Sequence, residues 1–407
     1  MKVGECMVIG IIGGGASGMM AAIAAAENKN ADVHIFERQA RVGKKLSATG
    51  NGRCNLTNRS PAPYMGEAPD FGNFALTSFG VAETLRYFAR LGLYTVTEES
   101  GRVYPYSDQA NSVVDVLRLG LEKENITVHL GCEIEKAEKT QDGFRLFTTE
   151  GDYFCNKLII ACGGIAGSKL GGTMSGYRLL SAFGHKSTRL RPSLVQLTSD
   201  SAFLPSLKGV RANGEVKILR DGALFAQSLG EIQFTEKGLS GPVIFEVSRD
   251  ACEGRGKWVA EIDLLPDVTA ETLTNMLRVR KNTHLSSEEL FTGILHNRLG
   301  RVVTKEAGIG NCPISYLSEQ ELTEAAQMCK HFSFRLTGTL GMEAAQVTAG
   351  GVLTKDFDPQ TMESRLMPGL YACGEVLDID GKCGGYNLQW AWSSGYLAGK
   401  SAGEEEK

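Results

Sequence analysis

The sequence predicts an α/β fold with a parallel sheet at its centre, and three observations carry that expectation. The first is a strand–glycine turn–helix–strand run within residues 7–37. The second is another glycine-rich strand-and-helix run near the C-terminus. The third is a change of character between residues 191 and 331, where hairpin signals and then helical ones interrupt the α/β pattern.

Met7 to Ile12 is an apolar run suited to a strand buried on both faces. Gly13, Gly15 and Gly18 follow as a G-x-G-x-x-G with Ala16 and Ser17 inside it, and residues 16–28 read as an Ala-rich helix, apolar nearly all round. Asp32–Phe36 reads as a second strand that ends on Glu37. In such a unit Gly13 permits the tight turn, Gly15 lets backbone approach a pyrophosphate, and Gly18 lets helix and strand pack closely. The free N–H groups of the helix start then hold phosphates, aided by the helix dipole. Glu37 stands 19 residues after Gly18, where an acid accepts hydrogen bonds from a ribose 2′-OH and disfavours a 2′-phosphate. The adenosine expected is therefore that of FAD or NAD. Cys6–Ala26 also carries no charge over about the length of a membrane helix and follows Lys2, the pattern of a membrane span or a signal peptide. Its glycines, and the strand ending on Glu37, favour the nucleotide fold.

A length of 407 residues allows two or three domains with sizeable cores. The hydrophobic fraction of 42% and charged fraction of 22% are those of a soluble globular protein. The net charge of 43 − 47 = −4, without a basic run, argues against nucleic acid or an anionic membrane as partner. Ten cysteines without a C-x-x-C, and six histidines not clustered with them, predict neither disulfides nor a metal site. A reducing cytoplasm is the simplest setting.

Residues 42–58, VGKKLSATGNGRCNLTN, form a basic, glycine-containing loop that would bring Lys44, Lys45 and Arg53 near phosphates, with Gly50 and Gly52 allowing close approach. Helices are expected at 80–93 and at 107–125, the second capped by Ser107. Residues 126–164 hold short strands with a turn at Asp142-Gly143, the last running into Gly163-Gly164. Asn213-Gly214 and Asp221-Gly222 mark two hairpin turns, so residues 191–265, resumed at 332–341, read as an inserted β domain. Residues 266–331 read as a helical insertion with capping boxes at Ser286-x-x-Glu289 and Ser318-x-x-Glu321. Residues 1–190 and 342–407 make one discontinuous nucleotide-binding domain. Its C-terminal part has an apolar strand ending at Gly374-Glu375 and a helix started by Gly384-Gly385, which places one dinucleotide between the two ends of the chain.

The motifs VIGIIGGGASGMMAA, GKKLSATGNGRCNLTN, GEIQFTEKGLSGP, AQVTAGGV and LYACGEVLDIDGKCGGYNLQWAWSSG resemble those of the BaiN-like flavoproteins, also called the YhiN or aminoacetone-oxidase-type family of FAD-binding proteins. The resemblance covers essentially the whole chain. Residues 171–186 also look like the T-G-D-G-Y element of fumarate-reductase-like flavoproteins, with Met174-Ser175 in place of Gly-Asp. The resemblance implies a Rossmann-like, two-dinucleotide-binding-type FAD domain (glutathione-reductase-like) with an inserted β domain and a helical insertion. It implies that Gly13, Gly15, Ala16, Ser17 and Gly18 hold the pyrophosphate and that Glu37, with Arg38 beside it, meets the adenosine ribose. The loop of Lys45, Leu46, Thr49, Gly50, Asn51, Cys54 and Asn55 would wrap the flavin side, and Ile134 would meet adenine. Glu375, Gly385, Tyr386 and Asn387 would meet the ribityl chain and isoalloxazine, and Gly163 and Gly374 would be further cofactor contacts.

The activity so implied is that of an FAD-dependent oxidoreductase moving a hydride to or from a small or medium organic substrate, at the junction of FAD and β domains. Catalytic candidates are Tyr386, Asp380 and Cys54, each with a plain structural alternative: Asp380 as a cap on the Gly384 helix, Cys54 as a small buried residue. His185 and His331 are expected on helix or loop surfaces. NAD(P)H, if used, docks only transiently, because no second glycine-rich strand-turn-helix unit exists: Gly308-Ile309-Gly310 is followed closely by Pro313. A flavin-dependent RNA-modifying enzyme and a non-catalytic flavin-bound sensor are the alternatives. The sequence leaves the oligomeric state open.

Overall fold

A computed structural model of the chain describes residues 6–148 and 150–404, so Lys2 lies outside the described residues. The fold divides into two units, Met1–Arg191 with Gln346–Lys407, and Pro192–Ala345.

The first unit is built on a five-stranded sheet in the order Leu370–Ala372, Lys157–Ile160, Met7–Ile12, Ala31–Glu37, Ile126–Leu130, parallel throughout. Its central strands are closed from water on both faces, with Ile9, Ile11, Val33, Ile35, Ile159 and Ile160 fully buried. One face is covered by an antiparallel meander of Ile134–Lys139, Phe144–Thr148 and Gly151–Cys155. Glycine at position 10 suits this close packing, since a Cβ there would lie 3.0 Å from Cys155 Sγ. The Cys6–Ala26 stretch forms the Met7–Ile12 strand and a ten-residue helix, Ala16–Ala25. No helix among the described residues is long and apolar enough to cross a membrane.

That first helix lies against the last, Tyr386–Gly403, at backbone distance. Gly395, Gly399 and Gly403 recur every fourth residue, and a Cβ on them would lie 2.4, 2.1 and 2.9 Å from the carbonyl oxygens of Ser17, Ala21 and Ala25. Residues four apart share one helical face, so the two small-residue rows meet as flat surfaces and the helices touch main chain to main chain.

The second unit is a closed antiparallel barrel of six strands, Leu197–Ser199, Gly238–Ser240, Ala223–Thr235, Arg211–Arg220, Trp258–Asp263 and Phe332–Thr339 in spatial order. Asp221-Gly222 turns the long hairpin, both residues at positive φ (51° and 84°) as a two-residue I′ turn requires. Asn213-Gly214 is no turn. It lies within the Arg211–Arg220 strand opposite Glu231 and Gly230, and Gly214 is needed because a Cβ would lie 2.6 Å from Asp263 O. One long hairpin thus replaces the two expected. The helices Ala270–Val279, Asn297–Glu306 and Glu319–Lys330 lie between the last two barrel strands in sequence, and their Leu273, Leu277, Leu299, Leu322 and Cys329 share a core with Ile262 and Phe332 of the barrel.

Three further local expectations differ from the structure. The Ser286 box opens only a short 3₁₀ turn, Ser287–Glu289, whereas the Ser318 box opens a full helix. Ser107 does not cap: its hydroxyl pairs with that of Ser112, and the helix starts at Ala110 after Gln109. His185 is not on the surface. It is 3% exposed, stacked on Phe357 with ring centroids 4.5 Å apart, and its Nε2 pairs with Ser364 Oγ at 2.9 Å.

Two predictions follow from this packing. Gly399→Ala should destabilise towards the upper end of the roughly 1–3 kcal/mol typical of overpacking, because the nearest atom to its Cβ is backbone. Gly310→Ala, with no atom within 4 Å, should stay within about 0.5 kcal/mol of the parent. Denaturant midpoints measure both. Burial also holds the imidazoles of His185 and His129 below the ordinary range. The unfolded chain then takes up protons before the folded one, so stability is full above about pH 6.5 and declines as pH falls through the lowered folded values. Thermal midpoints measured from pH 7.5 to 5 should fall, and His185→Gln should flatten that slope.

Candidate functional site

The glycine turn of the first unit is closed on two sides and open on the third. A Cβ at Gly13 (φ 110°) would lie 2.5 Å from Ala161 O, and one at Gly18 only 1.9 Å from Gly13 O, so both glycines are demanded by packing. Gly15 has no atom within 4 Å of its Cβ position. It is the residue before the Ala16–Ala25 helix, whose N-terminus has no side-chain cap. The amides of Ala16 and Ser17 belong to that first turn, whose N–H groups have no partners within the helix.

Glu37 is fixed at the end of its strand by accepting from Gly14 N and Gln39 N, each at 2.8 Å. Main-chain bonds from Gly131 N to Gln39 O and from Cys132 N to Glu37 O bring the chain leading to Ile134 alongside it. Arg38 turns away from Glu37 and donates to the carbonyl oxygens of Gly171 (3.1 Å) and Gly172 (3.4 Å).

The basic loop is tightly wound. Leu46 anchors it in the core, Thr49 Oγ1 donates to Leu46 O at 2.7 Å, and Gly50, Asn51, Gly52 and Cys54 all take positive φ. For Asn51 and Cys54 that conformation costs about 1–3 kcal/mol each, the kind of strain that gathers at ligand sites. The three cations are committed to protein acceptors. Lys44 donates to Gln39, Lys45 to Glu375 at 2.9 Å, and Arg53, stacked 4.0 Å over Tyr104, to Glu98 and Asp108. Burial pushes the Cys54 thiol up to about 12, so it is protonated at neutral pH and offers no thiolate. Cys162 and Cys373 are pushed up to about 12 by the same cause.

The C-terminal run reaches the same place. Gly374 (φ 77°) lies against Ser17, with its N–H donating to Ser394 Oγ at 2.9 Å and its carbonyl accepting from Trp390 Nε1 at 3.0 Å. Glu375 accepts from Thr348 N on one oxygen and from Lys45 on the other. Gly163 (φ 70°) has open space at its Cβ position. Gly385 (φ 98°) precedes the last helix and sits on Thr57, where a Cβ would lie 2.6 Å from the carbonyl. Asn387 locks this turn through Gly381, accepting from its N–H and donating to its carbonyl. The Tyr386 hydroxyl donates to Ser60 O at 2.9 Å, and Tyr64 OH donates to Tyr386 O. Asp380 is buried on a short strand opposite Met65.

The residues present fit a dinucleotide in three respects: the open face of Gly15, the uncapped helix start behind it, and a buried Asn55 Oδ1 without a partner beside Gly385. Tyr177, on the Ser175–Ala182 helix and the tyrosine of the T-G-D-G-Y-like element, is a second buried group of this kind, though the sequence offered it as no site residue. Among the described residues no group of three or more His, Cys, Asp or Glu could hold a metal. Gly15→Val should fold as well as the parent yet lose retained flavin, whereas Gly18→Val should fail to fold. Circular dichroism and the visible spectrum of the purified proteins separate these outcomes.

A family model described as the HI0933-like protein Rossmann domain matches residues 7–401. The chain is 41% identical over 410 residues to the 3-dehydro-bile acid delta(4,6)-reductase of Clostridium scindens, spanning 97% of this chain and 99% of that one. It is 32% identical over 393 residues to the ribosomal RNA dihydrouridine synthase of Escherichia coli, 95% of each chain. Among solved structures, 3-ketosteroid delta1-dehydrogenase from Sterolibacterium denitrificans superposes with a TM-score of 0.51 at 11% identity, over 97% of this chain and 99% of that one. This last likeness is one of fold.

Proposed function

We infer the activity from one premise: the chain belongs to the HI0933-like family of Rossmann-domain proteins and is an FAD-dependent oxidoreductase. Our reading is a reductase of ring carbon–carbon double bonds conjugated to a carbonyl, with a 3-oxo steroid acid as the substrate class. The observation that carries it is the 41% identity to a bile-acid reductase over nearly the full length of both chains. Bound FAD would supply the two-electron hydride chemistry, leaving binding, orientation and electrostatics to the protein.

In this reading the backbone of Gly13–Gly18 and the start of the first helix hold the pyrophosphate. Glu37, already oriented by two amides, has lone pairs left for the ribose hydroxyls, and the main chain at Ile134 lies by the adenine. The strained Thr49–Asn55 loop closes over the flavin half, and Lys45 with Glu375 forms a fixed ion pair beside it. Gly163, Gly374 and the Gly385–Asn387 turn present main chain where side chains would obstruct the ribityl chain and ring. Arg38, held by Gly171 and Gly172, serves to position that segment. NAD(P)H docks transiently as electron donor.

The experiment has two stages. Flavin released by denaturation should run as FAD. Anaerobic NADH or NADPH should then bleach the flavin, with a rate still rising at high micromolar donor, and a 3-oxo-4-ene cholanoic acid should restore the colour while gaining two hydrogens. Release of FMN, or a bleached flavin indifferent to every such enone, would overturn the reading.

A second reading is reduction of uridine in ribosomal RNA, favoured by the 32% identity to the Escherichia coli enzyme. It involves the same kind of conjugated double bond in a different substrate. The net charge of −4 is unfavourable for an RNA surface. Dihydrouridine appearing in unmodified ribosomal RNA after incubation with reduced protein, and no turnover of the steroid, would select it.

A further inference from the structure

Buried polar groups in folded proteins are nearly always hydrogen-bonded, and each exception calls for a cause. Tyr177 is such an exception. The residue is 4% exposed, its hydroxyl is closed off from solvent, and it has no partner among the described residues.

Its place in the fold narrows what the partner can be. Gly176, just before it, is pressed against Cys162 and Val376, with a Cβ position 2.9 and 3.2 Å from them. Those residues follow the Lys157–Ile160 and Leu370–Ala372 strands, two parallel neighbours of the central sheet. The charges that act on the phenol are Glu375, Cys162 and Asp378. Tyr177 therefore sits at the carboxyl ends of parallel strands, where α/β sheets receive their ligands. Neither nearby carboxylate takes its proton: Glu375 is held by Lys45 and Thr348 N, and Asp378 accepts from Glu67 N. Burial first, then the neighbouring acids, push the phenol's proton affinity up, so it remains an O–H donor.

We propose that Tyr177 is a cofactor-binding residue whose hydroxyl donates to an oxygen of the flavin half of bound FAD. This rests on the proposed placement of that half beside Glu375. An O–H left without acceptor in the apoprotein is a cost that the cofactor removes, so its deletion acts with opposite sign on the two states.

The test is Tyr177→Phe, which keeps the ring and removes only the hydroxyl. FAD-stripped Tyr177→Phe should melt at or above the temperature of the stripped parent. Its affinity for FAD, from flavin fluorescence quenching, should fall roughly tenfold, while its affinity for ADP, which lacks the flavin half, should be unchanged. Unaltered FAD affinity would overturn the proposal, as would an ADP affinity that falls equally. A drop in apoprotein melting temperature would overturn it too, since the hydroxyl would then have a partner within the protein. If the parent itself takes up no FAD, the placement of the cofactor fails first, and that failure is visible without the variant.

Discussion

The contact on which the first unit depends is the one between its first and last helices. Gly395, Gly399 and Gly403 let the last helix rest on the carbonyl oxygens of Ser17, Ala21 and Ala25. Little dispersion energy comes from any one such contact. The gain is positional: with no side chains between them, the two axes have one depth of approach and one register. Ser17 belongs to the helix that follows the Gly13–Gly18 turn, and Gly374 packs against it. The register of the helix pair therefore sets where the Gly374-Glu375 turn stands relative to Gly13–Gly18, across some 360 residues of chain.

Rigidity of that kind suits a site made mostly of main chain. Glycines fall into two groups here. At Gly13, Gly18, Gly374 and Gly385 the missing side chain makes room for the protein itself, whereas at Gly15 and Gly163 it leaves open space. Only the second kind leaves room for a ligand to come close to the backbone. The strained residues Asn51 and Cys54 belong to the same economy, since their conformations persist only because Leu46, Asn58 and the Arg53 ion pairs hold the loop from outside.

Two of the relatives differ widely in the substrate their names carry, a bile acid and a ribosomal RNA. A family can diverge this way when the cofactor carries the bond chemistry and the protein determines which molecule reaches it.

Much of this was legible in the sequence because it depends on local rules. A strand, glycine turn, helix and terminal acid must lie close in sequence, so residues 7–37 announced their structure, and the I′ turn at Asp221-Gly222 did so for the same reason. Asn213-Gly214 carries an equally good turn signal and forms none, because a neighbouring strand needs its backbone close; that neighbour is 50 residues away in sequence. The charges of Lys44, Lys45 and Arg53 were visible, but not that Gln39, Glu375, Glu98 and Asp108 would engage them. His185 looked like a surface residue until Phe357 and Ser364 enclosed it, and Tyr177 stood in the sequence only as the last residue of the T-G-D-G-Y-like element, its buried hydroxyl invisible there. The sequence by itself determined the nucleotide unit, the α/β class and the interruption by a β and a helical region. Only the tertiary structure decided which glycines are open, which cations are paired and which hydroxyl lacks a partner, because those properties depend on atoms from residues remote along the chain.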